Sequence, residues 1–339
     1  MKKSLIAVLA AVPVVLGIAL LWPQSFQKPE TPKTSGRPLS LCRYYWPGNF
    51  WMDIAWKKGW FEEAGLVVEM IDTNPDYHKY IDDMVAGKID SNNFTLFDMI
   101  RHIAGGADLV AVVKLDESHG VDALVAQKGI ETIPGLQGKT IAVKLGSYLE
   151  YVLNVVLERN GMALEDVVLK ETSAETAAEE FIDRKVDAVI TWEPFVEKAI
   201  QQGSGTKLFD TSQIPGISPS VLVFHRRVIN ERPEDVAACV RVWERTVRFI
   251  LENPQEVYDM IAGIYQVTPA EVMQFAQTDR ISDIKENIQA FTFAAGMDSL
   301  HGASMRIHRF LMRKGPPAGN LNSAAFLDDR FLRKLELRQ

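Results

Sequence analysis

Apolar and polar positions alternate along this chain at two periods, and each change of period marks an element. Thr140, Ile141, Ala142 and Val143 form a short, largely β-branched run of the kind buried in a parallel sheet. Gly146 permits a sharp turn, Ser147 stands at a helix N-cap, and Glu150 three residues later completes an S-x-x-E capping box. Val152, Leu153, Val156 and Leu157 then recur at helical spacing. The stretch from Lys139 to Glu158 therefore predicts a strand, a turn and an amphipathic helix whose N-terminal N–H groups point at a sheet edge. Such an edge is a place for small molecules, although a well-capped turn explains the same residues without any ligand.

The same rhythm runs through most of the chain. Strands are predicted over 39–45, 67–71, 89–92, 109–113 and 122–126, with helices over 50–64, 77–86 and 96–104 between them. A loop, Asp116 to Gly120, follows the fourth strand. After the 140–143 unit come strands over 167–169, 188–191, 207–209 and 221–224, with helices over 174–183 and 193–202. Beyond Pro233 the pattern is nearly all helical. Alternating strands and helices with short connections predict an α/β fold with parallel sheets covered on both faces. Two lobes with a ligand cleft between them, joined by two crossovers, fit this order: 39–125 with 221–339 as lobe 1, and 126–220 as lobe 2.

Composition narrows the class. With 339 residues, 47% hydrophobic and 24% charged, the chain is ordinary globular protein with room for two lobes. Net charge is −7, and residues 1–38 hold five Lys/Arg against one Glu, or +4, so the remainder carries −11. An acidic body of that size argues against a nucleic-acid partner. Cys42 and Cys239 are far apart and form no C-x-x-C, which suits two buried thiols rather than a disulfide framework or a zinc site. Met1-Lys2-Lys3 followed by the uncharged apolar run Leu5 to Trp22 is the pattern of a signal peptide or an N-terminal membrane anchor. Residues 23–38, rich in Pro, Lys, Ser and Thr, read as a linker. Either leader places the body in the periplasm or on the outer face of the cytoplasmic membrane.

Four segments carry a family resemblance: YYWPGNFWMDIAWKKGWFEEAGLVVEM, DESHGVDALVA, GLQGKTIAVKLGS and DAVITWEPF. In order and spacing, from about Leu39 to about Lys314, they resemble the solute-binding proteins of nitrate/sulfonate/taurine-type ABC importers, a group that also includes binders of thiamine-pyrimidine precursors. The resemblance implies a type II periplasmic-binding fold that closes around a small ligand by hinge motion, membrane subunits of an importer as partners, and no cofactor, metal or catalysis.

Cleft positions are expected at strand C-terminal ends. In lobe 1 these are Trp46, Asn49, Phe50, Asn92, Phe94 and Thr95; in lobe 2, Ser147, Tyr148, Trp192 and Glu193; at the crossovers, Asp116, Ser118, Asp122 and Ser220. Each has a plainer explanation as well: Trp46 can staple its turn, Thr95 can cap a helix, Asp116 can be a solvated loop charge, and Glu193 before Pro194 can cap the following helix. If Asp116, Asp122 and Glu193 converge, the cleft is acidic and suits an amine or protonated heterocycle flanked by Trp46 and Trp192. A sulfonate or nitrate would instead draw on the Ser147 and Tyr148 amides or on Lys114 and Lys144.

Other chemistries lack their motifs. Gly138-Lys139-Thr140 imitates a phosphate loop, but Ile133 stands where the first Gly must be, and the Lys leads into a strand. The six histidines form no H-E-x-x-H, and Gly203-Ser204-Gly205 lacks the context of a hydrolase elbow. Two alternatives to an importer component share the fold. One is a membrane-tethered sensing domain; the other is a pyrimidine-precursor synthase, which would need a reactive histidine that only His119 could supply.

Overall fold

The computed structural model describes residues 33–74, 76–315 and 321–336. The leader and most of the linker read at 1–32 lie outside them. Eleven strands form among the described residues: β1 (Leu39–Arg43), β2 (Val68–Asp72), β3 (Ser91–Thr95), β4 (Leu109–Ser118), β5 (Asp122–Ala126), β6 (Thr140–Val143), β7 (Val168–Glu171), β8 (Ala188–Trp192), β9 (Thr206–Asp210), β10 (Pro219–His225) and β11 (Asp279–Ile281). One sheet has the order β11-β4-β10-β3-β1-β2 and the other β7-β6-β8-β5-β9. This is the two-lobe arrangement expected, with one correction to its sheets. They are mixed rather than parallel, because β10 runs antiparallel to β3 and β4, and β5 runs antiparallel to β8 and β9. A strand fed by a crossover enters its new sheet from the opposite end, so its direction reverses.

Helices cover the sheets: α1 (Phe50–Lys57), α2 (Trp60–Glu63), α3 (Tyr77–Val85), α4 (Leu96–Ala104), α5 (Tyr148–Arg159), α6 (Ala174–Ile182) and α7 (Phe195–Gly203). After β10 the chain is helical except for β11: α8 (Arg226–Glu231), α9 (Pro233–Glu252), α10 (Pro254–Tyr265), α11 (Pro269–Ala276), α12 (Ile284–Ala290), α13 (Leu300–Lys314) and α14 (Arg330–Glu336). The expected helix over 50–64 is two, broken where Gly59 takes a left-handed φ of +70°. One large core cluster spans most of the described residues, and a smaller one around Phe181 lies on the other face of the second sheet's β5, β6 and β8. Trp51, Phe94, Phe224 and Trp243 are completely enclosed, each adding roughly 1.5–3 kcal/mol of hydrophobic stabilisation or more.

Three boundaries differ in ways that bear on function. The strand expected over 109–113 continues to Ser118, because Asp116 and Glu117 find ladder partners on both sides, in β10 and β11. Charged residues read as loop when only their own segment is considered. The third strand is Ser91–Thr95 rather than 89–92, so Phe94 and Thr95 lie in it instead of after it. Finally, β5 pairs wholly within the second sheet, so the change of sheet falls at 119–121 and not after residue 125. The return passes through 211–218 into β10.

These two passages lie side by side. Ser118 N donates to Ser218 O at 3.2 Å, and the Ser118 and Thr211 hydroxyls are hydrogen bonded at 2.6 Å. His119 N and Val121 N both donate to Thr278 O, at 2.9 and 3.1 Å, which ties the start of β11 to the first passage.

Candidate functional site

The register of β4 decides what this junction presents. A β-bulge against β10 separates the pairs Asp116↔Ser220 and Lys114↔Val221, placing Leu115 opposite no residue. The bulge re-aims the strand, so Lys114 and Glu117 pair with each other at 2.7 Å, and Glu117 also receives Arg280 at 3.3 Å. Asp116 is left out of both pairs. Its carboxylate is buried, and neither oxygen has a hydrogen-bond partner.

Asp279, on β11, is in the same condition: buried, with both oxygens unpartnered. Burial pushes the Asp116 carboxyl up to about 7, with Glu117 adding repulsion. Ser220, Lys114 and Trp46 pull it down only in part, and the Trp46 indole N–H forms no hydrogen bond of acceptable geometry. Asp279 is driven well above the ordinary carboxylate range by burial, then by Asp116 and Asp122. The Tyr44 phenol is raised by burial and by Asp116, with Asp279 contributing, which places it beside the same acids.

The backbone of 47–49 closes over the pair. Pro47–Asn49 is a short 3-10 turn with Gly48 pressed against Asp116, so close that a Cβ there would sit 1.5 Å from Asp116 Oδ2. Only glycine fits. Trp46 precedes the turn and meets Phe275 edge-on at 5.5 Å.

The second lobe contributes a third acid with aromatic cover. Asp122, at the start of β5, is buried and pushed up to about 6 by desolvation, while the hydroxyls of Ser118 and Tyr148 hold it lower than burial alone would. Tyr148 Oη donates to Asp122 Oδ1 at 2.8 Å. The Tyr148 ring stacks on Trp192, with centroids 6.1 Å apart and planes 21° apart, and Trp192 is directly opposite Asp122 in the β5–β8 ladder. Three carboxylates that influence one another, two lobes and two half-buried tryptophans thus meet at the crossovers. Among the described residues no group of His, Cys, Asp and Glu has a metal-binding arrangement.

Several expected cleft residues are used inside the fold instead. Phe50 and Phe94 are core, at 1% and 0% exposed, because the helix and strand that carry them turn those faces inward. Asn49 is bound by the Asn93 amide, and Asn92 accepts from Asn93 N at 2.8 Å. Thr95 caps α4, accepting from Asp98 N at 3.0 Å and donating to Asp98 Oδ2 at 2.8 Å. Glu193 accepts from Glu197 N at 3.1 Å, a cap at the start of α7. Ser147 does cap α5, but the S-x-x-E box is displaced. Ser147 accepts from Leu149 N, and Glu150 accepts from Gly146 N rather than from the Ser147 amide. The second Glu150 oxygen is drawn away by Lys314. Lys144 is spent on Glu171 at the surface, 3.0 Å away. His119 is exposed at the turn after β4. Cys42 and Cys239 are buried free thiols, as read, each pushed up to about 12 by desolvation.

Asp279 is the residue that sequence reasoning missed. It lies in a three-residue strand within a helical region, and nothing local distinguishes it from a helix-flanking acid.

The two-lobe fold with its acids and aromatics at the crossovers defines a periplasmic-binding-type protein. The family NMT1/THI5 like matches residues 51–257, well over half of the chain, and the chain belongs to that family. A protein of Brucella abortus (strain 2308) named as a binding protein is 25% identical over 236 residues, covering 67% of this chain and 71% of its own length. One of Bacillus subtilis (strain 168), named for binding aliphatic sulfonates, is 26% identical over 217 residues, covering 62% of this chain and 65% of its own. Among solved structures, the periplasmic aliphatic sulphonate binding protein SsuA of Escherichia coli superposes with a TM-score of 0.70 at 16% identity, covering 86% of this chain and 97% of that one. Among the described residues no helix is long and apolar enough to cross a membrane.

Proposed function

We infer that this protein is the exported substrate-binding component of an ABC importer, not an enzyme, and that it takes a small organic cation, a protonated amine or nitrogen heterocycle, between its lobes. The names of its relatives support a binding role. The observation that favours a cation is the pair Asp116 and Asp279, buried together outside any salt bridge, where Lys114 and the donors of Ser220, Trp46, Gly48 and Arg280 offset the cost of burial only in part. Two carboxylates in that position either hold protons or hold a positive charge, since ionising both without compensation is prohibitive in a medium of low dielectric. A sulfonate would add a further negative charge to the cluster. Asp122 and the Tyr148–Trp192 stack supply a third acid and a flat apolar wall, the surroundings in which an aromatic or alkyl ammonium group is well held. Hinge closure at 119–121 and 211–218 would bring the two halves of the site together around the ligand. The absence of a histidine from this cluster also speaks against a synthase.

Native mass spectrometry of the protein as purified tests this, followed by calorimetry with amines and alkanesulfonates in parallel. A retained or titrated organic base, binding more weakly as pH falls from 8 to 5 and the acids protonate, is the expected result. Preferential binding of a sulfonate that is indifferent to Asp116→Asn would refute it.

A further inference from the structure

A cavity of about 600 Å³ lies between α5 of the second lobe and α13, and none of the three cleft acids lines it. Arg159, Arg306, Arg309 and Arg313 converge on it, in a chain whose net charge is negative. Two carboxylates, Glu158 and Asp298, are also there, and Glu158 is already engaged by Arg313 at 2.7 Å. Arg159, Arg306 and Arg309 have no ion-pair partner among the described residues.

A positive α13 C-terminus would be unremarkable, since cations in a last turn complement the helix dipole. That accounts for Arg313 and Lys314. It does not account for Arg306 and Arg309, which stand in mid-helix at i and i+3, with Arg313 a further turn on, so each repels the next. Beneath them, Tyr151 is 2% exposed and its hydroxyl has no hydrogen-bond partner. Its charged neighbours are Arg306 and Glu158, and the residue lines the cavity while its hydroxyl is closed off from it. Guanidinium forks without ion-pair partners around one space are complementary to a compact oxyanion with several acceptor atoms.

We propose that this cavity is a second binding site, for a phosphate group, held by Arg159, Arg306 and Arg309. It shares no residue with the cleft site. Because α5 and α13 are also joined by Arg313–Glu158 and Lys314–Glu150, the anion would reinforce a contact between the second lobe and the C-terminal helices.

The group could belong to free phosphate or to a phospholipid head, and the two differ in being a dianion or a diester monoanion. Calorimetry on the purified full chain in chloride buffer would titrate inorganic phosphate in one arm and glycerophosphoglycerol, the soluble head of phosphatidylglycerol, in the other. Saturable one-to-one binding in either arm is expected, and the stronger arm identifies the source. The double variant R306A/R309A and the single variant R159A, all at exposed positions, should fold normally by thermal melt and raise Kd by ~10-fold or more and by ~3-fold or more respectively. No saturable binding in either arm, or wild-type affinity in R306A/R309A or in R159A, would overturn the proposal.

Discussion

Replacing Asp116 by Asn tests the acidic cluster through stability alone, before any ligand is known. The side chain keeps its shape and loses its ability to ionise. In the folded protein burial pushes its carboxyl up to about 7 from an ordinary value of 3.8, and Ser220, Lys114 and Trp46 offset that only in part. A folded value above the unfolded one means the folded state holds the proton more tightly. Asp116 therefore contributes stability that is fully present below pH 4 and is lost as pH rises through 7. Each pH unit between the unfolded and folded values costs ~1.4 kcal/mol, so the loss accumulates steadily from about pH 4 towards neutral pH. Asp122, at about 6, and Asp279 act in the same direction. The introduced amide cannot ionise and can donate to a neighbouring carboxylate, so the variant should escape most of this loss. Urea unfolding of ligand-free protein at pH 5, 6, 7 and 8 measures it. The variant should gain on wild type as pH rises from 5 to 8, by roughly 1–3 kcal/mol over that range. Taking the difference between the two proteins cancels the titrating groups that do not interact with Asp116, while Asp279 and Glu117 remain part of the effect. A difference that stays constant from pH 5 to 8, or a variant that is less stable at pH 8, would refute the burial argument. A cationic ligand should reverse the wild-type trend, stabilising most at high pH, and should lose that effect in the variant.

Further changes probe the surroundings of the same cluster. Gly48→Ala puts a methyl where Asp116 Oδ2 already lies, so thermal unfolding should show a loss of roughly 1–3 kcal/mol, and an unchanged Tm would mean the turn shifts freely. Tyr148→Phe removes the 2.8 Å hydrogen bond to Asp122, which should cost about 1 kcal/mol at pH 8 and less at pH 5, where Asp122 is protonated; equal losses at both would contradict the role given to the hydroxyl. Trp192→Ala should weaken ligand binding by roughly 1–3 kcal/mol while lowering ligand-free stability less. Equal losses in calorimetry and unfolding would make that ring part of the core.

How much of this was legible in the sequence follows from the range over which each signal acts. The order of strands and helices, the two-lobe α/β class, the family resemblance, the buried thiols and the strand-turn-helix at 140–159 rest on local periodicity and short motifs, and a chain carries those within each segment. Asp116 and Asp122 could be named because they stand near the ends of apolar strands, and Trp192 because a large ring at such a position needs cover. Asp116 nevertheless read as a loop residue, since its ladder partners are Ser220 and Ile281, more than a hundred positions away. Phe50, Phe94, Asn92 and Glu193 have the right residue types at strand and helix ends, yet only packing decides that a ring turns inward or that a carboxylate caps its own helix. The direction of β5 and β10, the bulge that pairs Lys114 with Glu117 and leaves Asp116 alone, and the arrival of Asp279 beside it were settled by tertiary structure. An unpaired charge is a statement about everything that surrounds it, and no segment of sequence contains its own surroundings.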